Sequence, residues 1–461
     1  MPMIRAADVL STVWGAARHA RASRDEIVAY QNAHLRRLVS HACRSVPYYR
    51  ALFDRHGIAP HHVRTVADLA LIPVTTKRDL QRAPAVEVVA RGLDPDRLLV
   101  HTTSGSSGEP LSIRRTWLEE RLGTAFRLRA LRYLGLRATD RRVAIALLRP
   151  HDPRDWNLPQ RMLRALGLYR KAAVDCRSAP EEILRRLEEL RPDVVAGFPG
   201  VVCRIAQVIA GGHPTTLRPR LLISGGEVLT PLMRREITEA FGAPVVESYA
   251  THELGTVAWQ CTKVGSFHVS DDSVIVEVLK DGRPARPGEV GEVVATRLHA
   301  FAMPFIRYRL GDLVTRGDTP CPCGAPFSTI LTVQGRMLDY FPLANGRLFH
   351  PYELVMILFA HGTRWIGQYQ LTQERRDRVV LRVVPRLSPP PEDIAGLEGA
   401  ARETLGPGIE FQVVLVPEIP LEVTGKFRVS RSLVESAYDG IDWHGRRAME
   451  LTALQRSAPK P

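Results

Sequence analysis

The chain has 461 residues, of which 45% are hydrophobic and 24% charged, with a formal net charge of +14 and an isoelectric point near 9.9. This composition is ordinary for a globular protein and excludes disordered and fibrous classes. The length exceeds what one hydrophobic core usually organises, so we expect two or three domains.

No apolar run approaches the roughly 18 residues needed to cross a bilayer. The N-terminal stretch has no continuous apolar centre, and Asp8 interrupts it, so we expect a cytoplasmic protein without a membrane partner. The positive charge comes mostly from Arg spread along the chain. Because there is no dense basic tail or known nucleic-acid motif, we expect no nucleic-acid partner.

The first part of the chain is predicted to be helical. Apolar positions at helical spacing over residues 24–56, interrupted by Pro47, predict two helices. Residues 65–80 predict a short helix, an extended turn and the start of a further helix, with Thr75 and Thr76 as candidate caps. We therefore expect a helical entry segment over residues 1–90.

From about residue 98 to residue 300, β-rich runs alternate with helical ones. This alternation predicts a parallel sheet covered by helices, with ligands at the carboxyl ends of its strands. The β-rich runs are RLLVHTT, RRVAIALL, PDVVAGF, PRLLISGG and APVVESYA. Residues 273–298 instead alternate polar and apolar positions around two turns, which predicts antiparallel hairpins.

The predicted fold class is therefore α/β, with a large N-terminal domain and a small C-terminal domain. The large N-terminal domain, residues 1–334, would combine parallel and mixed sheets with helices and a β subdomain over about 256–334. A hairpin, a helix and a strand predict a small C-terminal α+β domain over residues 335–445, followed by a polar, flexible tail over 446–461.

The stretch HTTSGSSGEP, residues 101–110, contains a run of Ser, Thr and Gly between a predicted strand and a predicted helix. Backbone N–H groups in such a run can approach an anion closely, which suits a phosphate-binding loop. The alternative is a solvated linker. The stretch has neither the Lys-Ser/Thr of a Walker A loop nor the G-x-S-x-G of a serine hydrolase.

This stretch resembles the phosphate loop of the adenylate-forming enzymes, and most closely the branch of phenylacetate–CoA ligases and CapK-like proteins. Upstream, SHACRSVPYYRALFDRHGI and LALIPVTTKRDLQ are similar to the helical signature of that branch. Five further motifs follow in the family's order: SGGEVLT (224–230), ESYATHELG (247–255), FIRYRLGDL (305–313), QGRMLDY (334–340) and EVTGKFRVS (422–430). The ordered set is far more specific than any one motif.

The resemblance implies a nucleotide site whose residues suit their roles. Tyr249 would stack on the base, Asp312 would accept hydrogen bonds from both ribose hydroxyls, and Arg336 would contact ribose or phosphate. Each could instead be a core, turn or surface residue. The phosphates would be held by Thr102, Thr103, Ser104, Gly105, Ser106, Ser107 and Gly108, and the adenine by Ser224, Gly225, Gly226 and Glu227.

Two charged residues carry the chemistry that the resemblance implies. Glu253 would bind Mg²⁺ beside the phosphates, and Lys426 would neutralise charge developing at the α-phosphate. Alternatively, Glu253 and Lys426 are ordinary surface residues without these roles. His252 stands where many relatives have Thr or Ser, and HELGT lacks the second His of a zinc protease.

The resemblance predicts an ATP-dependent ligase. A carboxylic acid and Mg-ATP would give acyl-AMP and pyrophosphate. The acyl group would then pass to a thiol, and the favoured thiol is that of CoA. Phe198 and Tyr249 would line the pocket of an aromatic or apolar acid.

The acyl acceptor stays open, because Leu338 replaces the first of the family's paired hinge acids and the following stretch is CapK-like. The alternatives are a CoA-independent amide or ester synthetase, the loading of a carrier protein, and a non-catalytic nucleotide- or nucleic-acid-binding homologue. A homodimer also stays open.

Four residues form a further candidate site: Cys261, His268, Cys321 and Cys323. Three Cys and one His make a complete tetrahedral zinc set with no position left for water, so the metal would be structural. The resemblance implies the same, because some members of this branch look to have such a structural zinc bridging the β subdomain. The alternative is buried thiols and a surface His. The other cysteines, Cys43, Cys176 and Cys203, are expected to be packing residues.

Overall fold

The structure is a computed structural model. It describes residues 21–102, 111–148, 166–336, 341–349, 365–420 and 427–434, with residues 12, 15, 18, 19, 351, 354 and 357. The helices are α1 Arg24–Ser45, α2 Pro47–Arg55, α3 Lys77–Arg82, α4 Ala85–Val88, α5 Trp117–Tyr133, α6 Pro180–Leu190, α7 Pro199–Ala210, α8 Pro231–Phe241 and α9 Pro391–Leu405.

The strands are numbered in chain order. They are β1 Leu99–Thr102, β2 Ser112–Arg115, β3 Arg142–Ala146, β4 Lys171–Asp175, β5 Val194–Gly197, β6 Leu221–Gly225, β7 Val245–Thr251, β8 Gly255–Gln260, β9 Phe267–Val269, β10 Val274–Lys280, β11 Arg283–Pro284, β12 Val290–Arg297, β13 Tyr308–Arg316, β14 Thr329–Arg336, β15 Phe341–Pro342, β16 Leu348–Phe349, β17 Ile366–Arg375, β18 Arg378–Pro385, β19 Glu410–Leu415 and β20 Ser430–Ser432.

A twelve-stranded sheet organises the large part of the chain, in the order β11-β10-β12-β13-β14-β9-β8-β7-β6-β5-β3-β4. Strands β4, β3, β5, β6 and β7 pair in parallel, and from β7 to β11 the pairing is antiparallel. The mixed α/β fold class is therefore confirmed. The predicted antiparallel hairpins are present, and they continue the same sheet.

Two sequence expectations in this region need correction. The run RLLVHTT does not join the parallel sheet, because β1 pairs with β2 in a separate antiparallel hairpin. Strand β4, whose residues alternate weakly and lie at the sheet edge, was not predicted. Only one of its five residues is buried, so its sequence carries a weak hydrophobic signal.

The two threonines proposed as helix caps have different roles. Thr76 caps α3, because its hydroxyl accepts from the backbone N–H of Asp79 at 3.3 Å and Asp79 accepts in return. The expectation for Thr75 is wrong. Its hydroxyl donates to the carbonyl of Ile306 at 3.1 Å, and its backbone bridges to Tyr308. Thr75 thus attaches the helical entry segment to β13.

A small four-stranded sheet in the order β19-β18-β17-β20 forms the C-terminal part, with α9 against it. The hairpin, the helix and the strand predicted from the sequence are all present. Its core contains Leu371, Leu381 and Leu397, each no more than 1% exposed. Within the described residues, no helix has the length and apolar character needed to cross a bilayer.

Two adjacent buried carboxylates attach α1 and α5 to the sheet. Arg24 pairs with Asp271, while Arg129 and His19 pair with Asp272, which is fully buried. Burial opposes the ionisation of Asp272, but the Arg129 charge and the His19 hydrogen bond hold its pKa below the ordinary value. The ion pair therefore stabilises the folded state while this carboxylate is charged.

We expect Asp272→Asn to lower the free energy of unfolding by about 3–5 kcal/mol at neutral pH, because Arg129 would stay buried without its counter-charge. Urea unfolding of variant and wild type would measure the difference. Since the folded-state pKa of Asp272 is lowered, the difference should shrink as the pH falls through that value. An equal stability of the two proteins at neutral pH would contradict this account.

Candidate active site

The carboxyl ends of three parallel strands bring the predicted adenine motif together with its neighbours. Strand β6 ends with Ser224 and Gly225, which lie in register beside Gly197 of β5 and Ser248 of β7. Ligands bind at this edge of parallel sheets because the strand-to-helix connections diverge there.

The strand end is narrow and contains an unsatisfied polar group. A Cβ on Gly225 would lie 2.6 Å from the backbone oxygen of Ser248, so no larger residue fits without moving β7. Gly226 has a φ of +84°, which favours glycine. The hydroxyl of Ser224 is buried, and among the described residues it has no hydrogen-bond partner. Such a group is what a bound polar molecule would satisfy.

The structure joins Tyr249 and Asp312, which lie 63 positions apart in the sequence. The phenol of Tyr249 donates to Oδ2 of Asp312 at 2.5 Å, and Asp312 is 6% exposed. The sequence predicted both residues for one nucleotide but not this bond. Asp312 also lies in register opposite Arg336 of β14, so the backbones of all three motifs converge. The side chain of Arg336 is outside the described set.

Glu253 lies in the turn between β7 and β8 and is 7% exposed. Among the residues that the structure describes, none donates a hydrogen bond to its carboxylate or pairs with it. Two buried guanidinium groups hold the turn instead: Arg115 donates to the carbonyl of the exposed His252, and Arg297 donates to the carbonyl of Glu253 at 3.1 Å. Sequence reasoning missed both arginines, since strand periodicity gives no signal for a buried cation.

The predicted phosphate loop connects the two strands of the β1-β2 hairpin. Thr102 is exposed at its start, and residues 103–110 lie outside the described residues, so the placement of Thr103 to Gly108 is not described. Beside the hairpin, Glu120 lies 3.1 Å from both His101 and Arg115. The neighbouring imidazole, with Arg115, lowers the pKa of Glu120 to about 2 despite partial burial. Arg115 therefore connects the loop's hairpin to the Glu253 turn.

Glu227 bonds to two distant backbone groups. Its Oε1 accepts from the N–H of Phe427 at 2.6 Å and its Oε2 from the N–H of Gly200 at 3.0 Å. A Cβ on Gly200 would lie 2.3 Å from Cβ of Phe427. Phe198, predicted to line the acid pocket, is partly buried against the hydrophobic core around α7. Lys426 and Leu338 lie outside the described residues.

The four predicted zinc ligands lie together. One ligand atom from each of Cys261, His268, Cys321 and Cys323 lies within 4.8 Å of all the others, and Nε2 of His268 is 3.4 Å from Sγ of Cys323. Cys261 begins the turn after β8, and His268 lies in the neighbouring strand β9. Three thiols and one imidazole at this spacing fit a tetrahedral zinc ion, which binds sulfur at about 2.3 Å and nitrogen at about 2.0 Å.

Comparison with known proteins identifies relatives along most of the chain. No family model matches the chain. The phenylacetate–coenzyme A ligase of Thermus thermophilus is 28% identical over 359 residues, which cover 73% of this chain and 76% of that ligase. Protein CapK of Staphylococcus aureus is 26% identical over 132 residues, 28% of each chain.

Two solved structures share the fold of the whole chain. A 2-hydroxyisobutyryl-CoA ligase in the postadenylation state, in complex with 2-HIB-AMP, superposes with a TM-score of 0.74 at 21% identity and covers 92% of both chains. The ligase in complex with 2-HIB-AMP and CoA, in the thioesterification state, superposes with a TM-score of 0.59 at 21% identity, over 90% of this chain and 92% of that chain. The chain therefore shares its fold with this CoA ligase.

The chain is therefore similar along most of its length to phenylacetate–CoA ligases and over a shorter stretch to CapK, and it shares the fold of a CoA ligase. This confirms the resemblance drawn from the ordered motifs.

We expect Gly225→Ala to lower the free energy of unfolding by about 1–3 kcal/mol, because its Cβ would collide with the backbone of Ser248. Urea unfolding would measure the change. Gly396→Ala is the matched control: Gly396 lies in α9, and a Cβ added there would meet nothing within 4 Å, so the better helix former should raise stability by up to about 1 kcal/mol. Equal tolerance of both substitutions would show that β6 and β7 can separate at no cost.

Proposed function

We propose that the protein is an AMP-forming ligase that activates a carboxylic acid with Mg-ATP and transfers the acyl group to CoA. One observation carries this proposal. The adenine motif at the end of β6, the Tyr249–Asp312 pair and the Glu253 turn converge at one edge of the sheet, beside the hairpin of the phosphate loop. The named relatives and the shared fold support the same reaction class.

In this proposal, the nucleotide lies across the carboxyl ends of β6 and β7. The backbone at Gly225 and Gly226 offers a flat, side-chain-free surface for adenine, and the Ser224 hydroxyl beside it, which has no partner among the described residues, is available to a polar group of the base. Asp312, already held by Tyr249, accepts from the ribose hydroxyls. The loop 102–108 provides N–H and hydroxyl donors to the β- and γ-phosphates.

Mg²⁺ would be held by Glu253. A buried carboxylate without a cationic partner is costly, and a hard divalent cation beside the phosphates removes that cost. The residues that hold this carboxylate in place are Arg115 and Arg297, which bond to the turn's carbonyls and leave the carboxylate itself available. The ion would neutralise phosphate charge during attack by the carboxylic acid.

Lys426 completes the first step by stabilising charge at the α-phosphate. The carboxylate oxygen bonds to the α-phosphorus as the bond to pyrophosphate breaks. In the second step the acceptor thiol bonds to the acyl carbon, loses its proton, and releases AMP. Between the two steps the small domain would rotate, which would take Lys426 out of the site and admit the acceptor.

The proposal also specifies the acyl acceptor and the class of carboxylic acid. CoA is favoured because the named ligases and the solved ligase with CoA use it. An aromatic or apolar acid is favoured, with Phe198 and Tyr249 beside it. Leu338 in the hinge and the CapK relationship favour a second candidate, transfer to an acceptor other than CoA.

Acid-dependent pyrophosphate release tests the proposal. We expect one member of a panel of aryl, arylacetic and aliphatic acids to release pyrophosphate from Mg-ATP at multiple turnovers, with CoA required for turnover. Slow release that is indifferent to CoA would favour another acceptor. The absence of release across the panel would contradict the proposed reaction.

Lys426→Ala provides the control within this experiment. The variant should lose acyl-AMP formation but should still transfer the acyl group from synthetic acyl-AMP, because the lysine acts only in the first step. Loss of both activities would indicate misfolding or a wrong assignment.

We also propose that Cys261, His268, Cys321 and Cys323 bind a structural zinc ion. The donor set and the distances among the four ligand atoms support the proposal. All four positions of a tetrahedral ion would be filled by protein, so the ion would connect the segment 321–324 to β8 and β9 and would not activate water.

We expect protein purified without chelator to contain about one equivalent of zinc, measured by elemental analysis. Cys321→Ser should lower the zinc content and the thermal midpoint together. Cys176→Ser, which alters a buried thiol outside the cluster, is the control for zinc content. Less than roughly a tenth of an equivalent in the wild type would exclude the site.

A further inference from the structure

Helix α7 lies between the two domains and carries polar contacts to the C-terminal one along its length. At its first turn, Gly200 shares the Glu227 carboxylate with Phe427. Near its last turn, Gln207 donates to the carbonyl of Gly367 in β17. The side of α7 that faces the C-terminal domain is therefore its docking surface in this structure.

The neighbouring α8 adds an ion pair to this docking surface. Glu236 pairs with Arg386, which follows β18, and accepts from Gln207 at 3.1 Å and from the thiol of Cys203 at 3.2 Å. The contact at Gln207 and Glu236 is one docking point, and the contact at Glu227 is the other. Each docking point joins the large domain to a residue more than 100 positions further along the chain.

Apolar packing accompanies the Glu227 contact. Phe427 is 5% exposed, and its ring packs into the hydrophobic core of the large domain with Val201 and Cys203 of α7. The chain approaches α7 so closely that a Cβ at Gly200 would overlap Phe427. The position of Phe427 relative to the large domain is thus set by a carboxylate on one side and a glycine on the other.

We infer that Glu227 is a positioning residue for the first step: by accepting from Gly200 and Phe427 together, it fixes the backbone next to Lys426 against the large domain. The inference rests on the proposed function, which assigns the first step to Lys426. Consecutive Cα atoms are about 3.8 Å apart, so an immobilised Phe427 strongly restricts where the preceding residue can lie. A charged group that is already in position where charge develops lowers the barrier, because it needs no reorganisation during the reaction.

The carboxylate chemistry explains why a glutamate is suited to this position. Glu227 offers two acceptor oxygens, and each has its own backbone donor. A glutamine offers one acceptor and one donor group, so it can satisfy only one of the two N–H groups and repels the other. Glu227→Gln therefore breaks the link between α7 and Phe427 with almost no change in size.

The test separates the two half-reactions. We expect Glu227→Gln to lower kcat for acid-dependent pyrophosphate release by about tenfold or more, with the KM for ATP changed less than about threefold. Thioester formation from synthetic acyl-AMP and CoA should stay within about twofold of wild type, because Lys426 is not used there. Glu239→Gln, which alters an exposed glutamate of α8, is the matched control and should leave both half-reactions unchanged.

A second variant disrupts the same contact and leaves Glu227 unchanged. Gly200→Ala places a Cβ where Phe427 lies, and it should produce the same selective loss of the first step. The double variant should lose less than the product of the two single losses, since both disrupt one contact. An increased KM for ATP with unchanged kcat in Glu227→Gln would overturn the inference in favour of a nucleotide contact. Parallel loss of both half-reactions, or full activity of Gly200→Ala, would also overturn it.

Amide hydrogen exchange gives a readout that does not require activity. The N–H of Phe427 should exchange more slowly in the wild type than in Glu227→Gln and Gly200→Ala. If no acid supports pyrophosphate release, the proposed reaction fails, and slow exchange at Phe427 would still establish the contact. Equal exchange in all three proteins would overturn the contact itself.

Discussion

Strand β7 pairs in parallel with β6 on one side and antiparallel with β8 on the other, and the candidate site depends on this change of direction. The parallel neighbours end at the edge where adenine is proposed to bind. Because β8 runs back from that same edge, the connection from β7 to β8 is a tight turn located there, and it carries Glu253. A parallel continuation would have required a long crossover and would have carried this residue away. One pairing rule thus places the proposed Mg²⁺ ligand beside the proposed nucleotide surface.

Buried charges hold the rest of the site in place. Arg115 and Arg297 donate hydrogen bonds to backbone carbonyls of the Glu253 turn and leave its carboxylate for a ligand. Elsewhere in the structure, Asp271 and Asp272 pair with Arg24 of α1 and Arg129 of α5 and so attach these two helices to the sheet. The two arrangements differ in purpose. In the second, every charge has a counter-charge, as a structural contact requires, whereas in the first a carboxylate stays unpaired among the described residues.

The C-terminal domain meets the large one at points that suit a contact made and broken in each cycle. Two polar contacts, at Glu227 and at Glu236, and the buried ring of Phe427 lie along α7. Hydrogen bonds of this kind can exchange with water, so docking does not need to be permanent. In the proposed reaction, one arrangement of the two domains would serve ATP and another would serve the acyl acceptor.

The sequence by itself determined the fold class, the order of the motifs and the four residues of the candidate zinc site. These are local patterns: hydrophobic periodicity predicted most strands and helices, and Ser224–Glu227 and HTTSGSSGEP stand out by composition. Only the tertiary structure decided that β1 leaves the parallel sheet, that Tyr249 bonds to Asp312, and that Glu227 reaches Phe427. The last two contacts join residues 63 and 200 positions apart, whereas sequence periodicity extends over one helix or strand only. Long-range pairing is set by strand order and close packing, which no local pattern encodes.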